Sequence, residues 1–189
     1  ITFIIIYALV FGVFTSLRHY NFQTQTWDMA VFVQTLWNTL NGRIMINNLE
    51  QVPNTLGVHM SPWLFVLVPF YALFTSPYFL LIIQSMALAL GAWPLYLLAK
   101  RILNRKYFAL IISAAYLLFP SLHWINTFDF HPVTFLVPLV LAGMYFLEIR
   151  KWRWAALFLV LGASTREDSI LVVIFVGIFW FLRSHEYSG

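Results

Sequence analysis

Long apolar runs broken by short clusters of Lys and Arg leave this chain few places to fold other than a lipid bilayer. A helix needs about 20 apolar residues to cross the hydrocarbon core, because each residue advances about 1.5 Å against a thickness of about 30 Å. The runs at 1–17, 77–99, 107–125 and 132–147 suit such crossings, and 154–182 forms a last apolar stretch. Only 10% of the residues are charged, against roughly 25% in a soluble domain, so a water-soluble fold of this size would lack polar groups to face solvent with. The expected fold class is all-α: a polytopic transmembrane helical bundle, one domain over 1–189. The first run lacks a small-residue cleavage site and reads as a span, not a signal peptide. Because the chain opens at Ile1 without methionine and stops soon after an apolar run, we expect the N-terminal part of a longer protein.

The placement of charge carries more information than its net value of +4. Lys100, Arg101, Arg105 and Lys106 form one basic cluster, Arg150, Lys151 and Arg153 a second, and Arg183 follows the last apolar stretch. Such clusters mark cytoplasmic loops, so they point to membrane topology and to no nucleic-acid partner. With these loops inside, 18–76 and 121–131 lie on the exterior face of a plasma membrane. The apolar segment 62–74 then has exterior chain on both sides. At about 13 residues it spans only about 20 Å, so it is expected to lie in the outer interface. Ser61-Pro62 and Ser76-Pro77 each look like an N-cap followed by proline at the first helical position. The absence of cysteine excludes disulfides and thiolate metal sites.

A second interfacial helix is expected at 26–41, with Thr26 as its cap and Asn41-Gly42 as its stop. At about 100° per residue, Met29, Ala30, Val33, Leu36, Trp37 and Leu40 share one face, while Asp28, Thr35 and Thr39 share the other. The apolar stripe should lie on the membrane and the Asp28 face should meet water or the rest of the protein. In the last stretch, one helix carrying Arg166, Glu167 and Asp168 through mid-bilayer would cost about 2.5 to 3.5 kcal/mol per charge. Two short helices, 154–165 and 169–182, meeting at this turn in a water-filled recess avoid that cost.

Arg18, His19, Asp28, His59, His123, Asp129, His131, Arg166, Glu167 and Asp168 all fall on or near the exterior side in this threading. Separate loops thereby deliver carboxylates, imidazoles and guanidiniums to one layer. Each also has a plainer explanation. Asp28 suits the positive N-terminal end of its helix, and His59 could be an ordinary polar residue before a helix start. His19 and His123 read as interfacial anchors. Asp129 and His131, in Phe128-Asp129-Phe130-His131-Pro132, could converge on a cation or phosphate, or one of them could cap the following helix. Glu167 and Asp168 could pair with Arg166 as a structural charge cluster.

The order of these features resembles the GT-C superfamily of polytopic glycosyltransferases, in which a first span precedes a long exterior loop with two interfacial helices. The closest resemblance is to a prokaryotic family of predicted membrane proteins, domain of unknown function 2079. It rests on Arg18-His19 with Phe22, Trp27-Asp28, Gln34 with Trp37-Asn38, His59 with Pro62, Phe128-Asp129-Phe130-His131-Pro132 and Arg166-Glu167-Asp168. Two positions depart from better-known GT-C members. Asp28-Met29 stands where protein-mannosylating members have an Asp-Glu pair, and Asp129-Phe130-His131 where oligosaccharyltransferases have Asp-x-Asp.

The resemblance implies a membrane glycosyltransferase that moves a sugar from a polyprenyl-phosphate-linked donor to an acceptor on the exterior face. Asp28 would be the catalytic carboxylate, as general base or orienting group. Arg18, Arg166 and His59 would bind the donor phosphate, since a guanidinium can hold phosphate bidentately. Asp129 and His131 would hold a divalent cation, Mg²⁺ or Mn²⁺ being favoured by oxygen-rich ligands, with Glu167 and Asp168 in support. Two other classes compete: a transporter or flippase for a lipid-linked or small anionic solute, and a non-catalytic membrane assembly subunit. A transporter should carry midplane charges and paired broken helices, of which only the turn at Arg166 to Asp168 is evident.

Overall fold

The structure, a computed structural model, describes residues 1–186, and every regular element among them is helical. The elements are α1 (Thr2–Tyr20), α2 (Thr26–Leu40), α3 (Thr55–Val58), α4 (Trp63–Tyr71), α5 (Pro77–Leu90) and α6 (Ala92–Leu103). They continue as α7 (Lys106–Leu117), α8 (Pro120–Thr127), a 3-10 turn (Pro132–Phe135), α9 (Leu136–Glu148), α10 (Trp152–Ala163) and α11 (Ser169–Glu186).

Among the described residues, two helices are long and apolar enough to cross a membrane: α1, and α5 joined to α6 as Pro77–Leu103. The run expected as one span at 107–125 is instead α7 and α8, bent by 40° at a break before Pro120. Proline starts a helix easily but cannot supply the N–H that would continue one. Counted as one bent span, this pair makes a third. The remaining apolar helices are shorter: Pro132–Glu148, Trp152–Ala163 and Ser169–Arg183. Helix α1 packs on α5, α6 on α7 and α9, and α9 on α10. At Gly91, between α5 and α6, a Cβ would collide with the Tyr116 hydroxyl, which donates to the Leu88 carbonyl at 2.8 Å. Glycine therefore sets how closely α7 approaches.

The main core gathers Met29, Phe32 and Leu36 of α2, Trp63, Leu64, Leu67 and Tyr71 of α4, and Leu80 and Leu81 of α5, closed by Phe130 and Phe135. Helices α2 and α4 thus bury much of their apolar surface against each other and α5. The faces of α2 differ from a simple lipid-and-water division. Trp37 is exposed, whereas Phe32 is buried and Thr35 is fully buried. Thr35 Oγ1 lies 2.6 Å from Thr55 Oγ1, Thr39 Oγ1 accepts the Met45 N–H, and Asn38 donates to the Ile46 carbonyl. The threonine face therefore holds the loop that returns to α3. Gln34 joins it by accepting the Asn48 N–H.

Helix ends follow local chemistry with two differences. Ser76 accepts the Tyr78 N–H ahead of Pro77, and α2 stops at Asn41 with Gly42 at φ +82°. Thr26 is the first residue of α2 and Gln25 occupies the cap position. Pro62, not Ser61, occupies the cap position of α4, which makes no side-chain cap hydrogen bond and ends at Tyr71 instead of 74. Helices α10 and α11 meet at a turn as expected. The Trp63 N–H donates to the Ser164 carbonyl at 2.9 Å, docking that turn beside the start of α4.

Candidate functional site

The site is organised by the loop between α8 and the 3-10 turn. Asp129 sits in it at φ +75°, a left-handed conformation that non-glycine residues adopt at a cost. Gln84, fully buried on α5, holds the loop on both sides of that residue. Its amide donates to the Asp129 carbonyl at 2.8 Å and to the Asn126 carbonyl at 3.4 Å. Its oxygen accepts the His131 N–H at 2.9 Å and the Thr134 hydroxyl at 3.2 Å. Asn126, also fully buried, accepts from Ser85 and donates to the Tyr7 hydroxyl. A polar network inside the bundle thus fixes the loop from α1, α5 and α8.

Asp129 is 2% exposed and its Oδ2 accepts the Gln25 N–H at 2.6 Å, tying this loop to the linker between α1 and α2. Burial raises its carboxyl to about 6. The Gln25 N–H and the Arg18 guanidinium oppose that rise, and the neighbouring Asp28 charge adds to it. Arg18 donates to the Thr127 and Gln23 carbonyls, so it clasps the same two segments.

His131 is half-buried, with its ring stacked on Phe128 and edge-on to Phe32. Its Nε2 faces Asp28 Oδ2 at 3.7 Å, an ion-pair separation too long for a hydrogen bond. Burial holds the imidazole below its ordinary range. Arg166 and His59 push the same way, while Asp28 and the Asp129 backbone counter them. The neutral ring is therefore favoured near neutral pH.

On the other side, Glu167 accepts Nδ1–H of His59 at 2.9 Å and the Met60 N–H at 3.0 Å. The His59 bond holds the Glu167 carboxyl below the usual carboxylate range. It also leaves Nε2 of His59 as the ring atom available to a ligand. Arg166 forks onto Asp168, with Nε 3.0 Å from Oδ1 and a second bond from the guanidinium to Oδ2. That carboxylate raises the guanidinium further.

Asp28, Asp129, His131, His59, Arg18 and Arg166 are thus electrostatic neighbours drawn from separate segments. Asp129 Oδ2 is occupied by the Gln25 N–H, and His131 Nε2 faces Asp28. Neither caps a helix through its side chain, although His131 occupies the cap position. Among the described residues no group of three His, Asp or Glu side chains is arranged to hold a metal. Asp28 Oδ2 and His131 Nε2 face each other at 3.7 Å, and a small hard cation between two such ligands would need substrate phosphate oxygens to complete its shell.

His19 and His123 stand apart. His19 Nδ1 lies 2.9 Å from the Thr24 hydroxyl with its ring edge-on to Tyr78, and His123 bonds the Leu117 carbonyl among the rings of Tyr7 and Phe11. Sequence reasoning missed Gln84 and Asn126. The adjacent Gln84-Ser85 pair was the available signal, since polar side chains inside an apolar run need internal partners.

A family model described as predicted membrane protein (DUF2079) matches residues 18–188. No curated protein and no solved structure matches the chain.

Proposed function

We propose that this chain, which belongs to the DUF2079 family of predicted membrane proteins, carries the donor-binding and catalytic groups of a membrane glycosyltransferase working on the exterior face of the plasma membrane. Its donor is a polyprenyl-phosphate-linked sugar and its acceptor a hydroxyl compound. The observation that carries the reading is Asp28 facing His131, with Asp129, His59 and two guanidiniums in electrostatic reach. Carboxylates to take a proton and cations to receive a phosphate are what such a transfer requires.

In this reading the acceptor oxygen bonds to the anomeric carbon while the bond from that carbon to the phosphate oxygen breaks. The hydroxyl proton passes to Asp28, and negative charge develops on the departing polyprenyl phosphate. His131, neutral and set against Asp28, orients the carboxylate or the acceptor. The Nε2–H of His59 in its imidazolium form and the outer N–H groups of Arg166 and Arg18 bind the phosphate, while Glu167 and Asp168 hold His59 and Arg166 in place. A Mg²⁺ or Mn²⁺ ion held by Asp28 and His131 would neutralise phosphate charge when bound. Asp129 shapes the loop from within.

The test is to extract the protein from native membrane with its lipids and identify bound species by mass spectrometry. A polyprenyl phosphate or its sugar ester is the expected finding. A water-soluble anion with no polyprenyl lipid would favour transport, and only bulk phospholipid would favour an assembly role.

A further inference from the structure

The end of the bundle remote from this site carries a second concentration of charge. Leu98 and Ile102 of α6, Leu147 and Glu148 of α9, and Phe179 and Arg183 of α11 line one small cleft of about 140 Å³. The C-terminal ends of these three helices therefore meet, and the turns after α6 and α9 flank the same surface. The last turn of α6 and the loop after it present Lys100, Arg101 and Arg105, and the loop after α9 with the first turn of α10 presents Arg150, Lys151 and Arg153, all exposed. None of the six pairs with a carboxylate among the described residues. Of the carboxylates whose side chains are described, only Glu148 stands here, and Arg183 occupies it at 3.0 Å. Exposed Tyr107, Trp152 and Trp154 lie between and beside the cations.

We propose that this surface binds the headgroups of anionic phospholipids. Six like charges crowded at converging helix ends repel one another unless counter-charge is supplied. Tyr and Trp at the ends of apolar helices sit at headgroup depth, so the counter-charge nearest these cations is lipid phosphate. An acidic soluble partner would meet the same cations only by displacing that layer.

The full chain, purified from vesicles of equal phosphatidylcholine and phosphatidylglycerol, should retain phosphatidylglycerol in excess when its lipids are weighed by mass spectrometry. Arg101→Gln and Arg150→Gln should each cut that excess about fivefold, as expected for one cation near a charged surface. Equal retention of both lipids, or an excess unchanged in both variants, would overturn the proposal. Since removing positive charge can disturb insertion, the unaltered protein supplies an independent reading. Its thermal midpoint should be higher with phosphatidylglycerol than with phosphatidylcholine, by a margin that shrinks in high salt. If inorganic phosphate or an oligonucleotide raises the midpoint equally, the lipid assignment fails.

Discussion

Nε2 of His131 faces Oδ2 of Asp28 at 3.7 Å, joining the loop after α8 to the first turn of α2 across a hundred residues of chain. Burial keeps the imidazole below its ordinary value of 6.5, and the Asp28 charge restrains that drop. Ring resonances of His131 should therefore titrate with a midpoint below 6.5 by NMR. Asp28→Asn removes the restraint and should lower the midpoint further. A midpoint that stays put would mean that the two side chains do not sense each other in solution.

Asp129 yields a stability prediction with a definite sign. Its folded carboxyl lies near 6 against an ordinary 3.8, so the folded state holds the proton more tightly than the unfolded chain does. The stability this proton supports is full below the unfolded value and is lost as pH rises through about 6. The loss reaches up to about 3 kcal/mol above that window. Asp129→Asn keeps an oxygen for the Gln25 N–H and removes the buried charge. The variant should melt higher than its parent at about pH 7.5 and equally at about pH 3.5. A lower melting temperature at both would show that the carboxylate stabilises the fold.

Gln84→Met preserves volume and removes four hydrogen bonds. It strands the buried Asp129 carbonyl and the His131 N–H, at about 1 to 3 kcal/mol for each group. We expect a destabilisation of about 2 to 5 kcal/mol, with the His131 ring resonances shifted by loss of the fixed loop. An unchanged melting curve would remove Gln84 as the support of the site.

Topology is open to a direct check because the chain has no cysteine. Asn47 and Asn126 are nearly or fully buried and poor labelling positions, whereas Gln51 and Arg105 are exposed. Gln51→Cys should react with an impermeant reagent in intact cells and Arg105→Cys only after permeabilisation. The reverse pattern would move the candidate site to the cytoplasmic face.

Metal removal separates two roles for His131. If Asp28 and His131 share a hard cation, chelation should weaken donor-lipid binding and Mg²⁺ or Mn²⁺ should restore it. Undiminished binding in chelator would leave His131 acting through Asp28 alone.

Much of the helical framework was legible because apolar period and length report it locally, as in α1, in the Ser76-Pro77 start of α5 and in the Asn41-Gly42 end of α2. The polar layer was legible as a list of residues but not as pairs. Glu167 lies beside Arg166 in sequence yet accepts from His59, and Asp129 lies two residues from His131 yet binds the Gln25 backbone. Those partners are more than a hundred residues away in sequence, set by how α2, α4 and the turn after α10 dock. The face of Thr35 and Thr39 reads as meeting either water or the rest of the protein, because a threonine packed on a loop and one facing water have the same period, and it is the loop that they hold.

Asp28→Asn, measured for sugar transfer and for thermal stability on the same preparation, tests the central claim most directly. Asparagine keeps the shape but cannot accept the acceptor's proton, so transfer should fall by at least about a hundredfold, in line with loss of a general base. Folding should be largely retained. If Asp28 serves only the helix dipole, stability should drop by about 0.3 to 1 kcal/mol while transfer continues at the parent rate, and that result would contradict the assignment of Asp28 as the catalytic carboxylate.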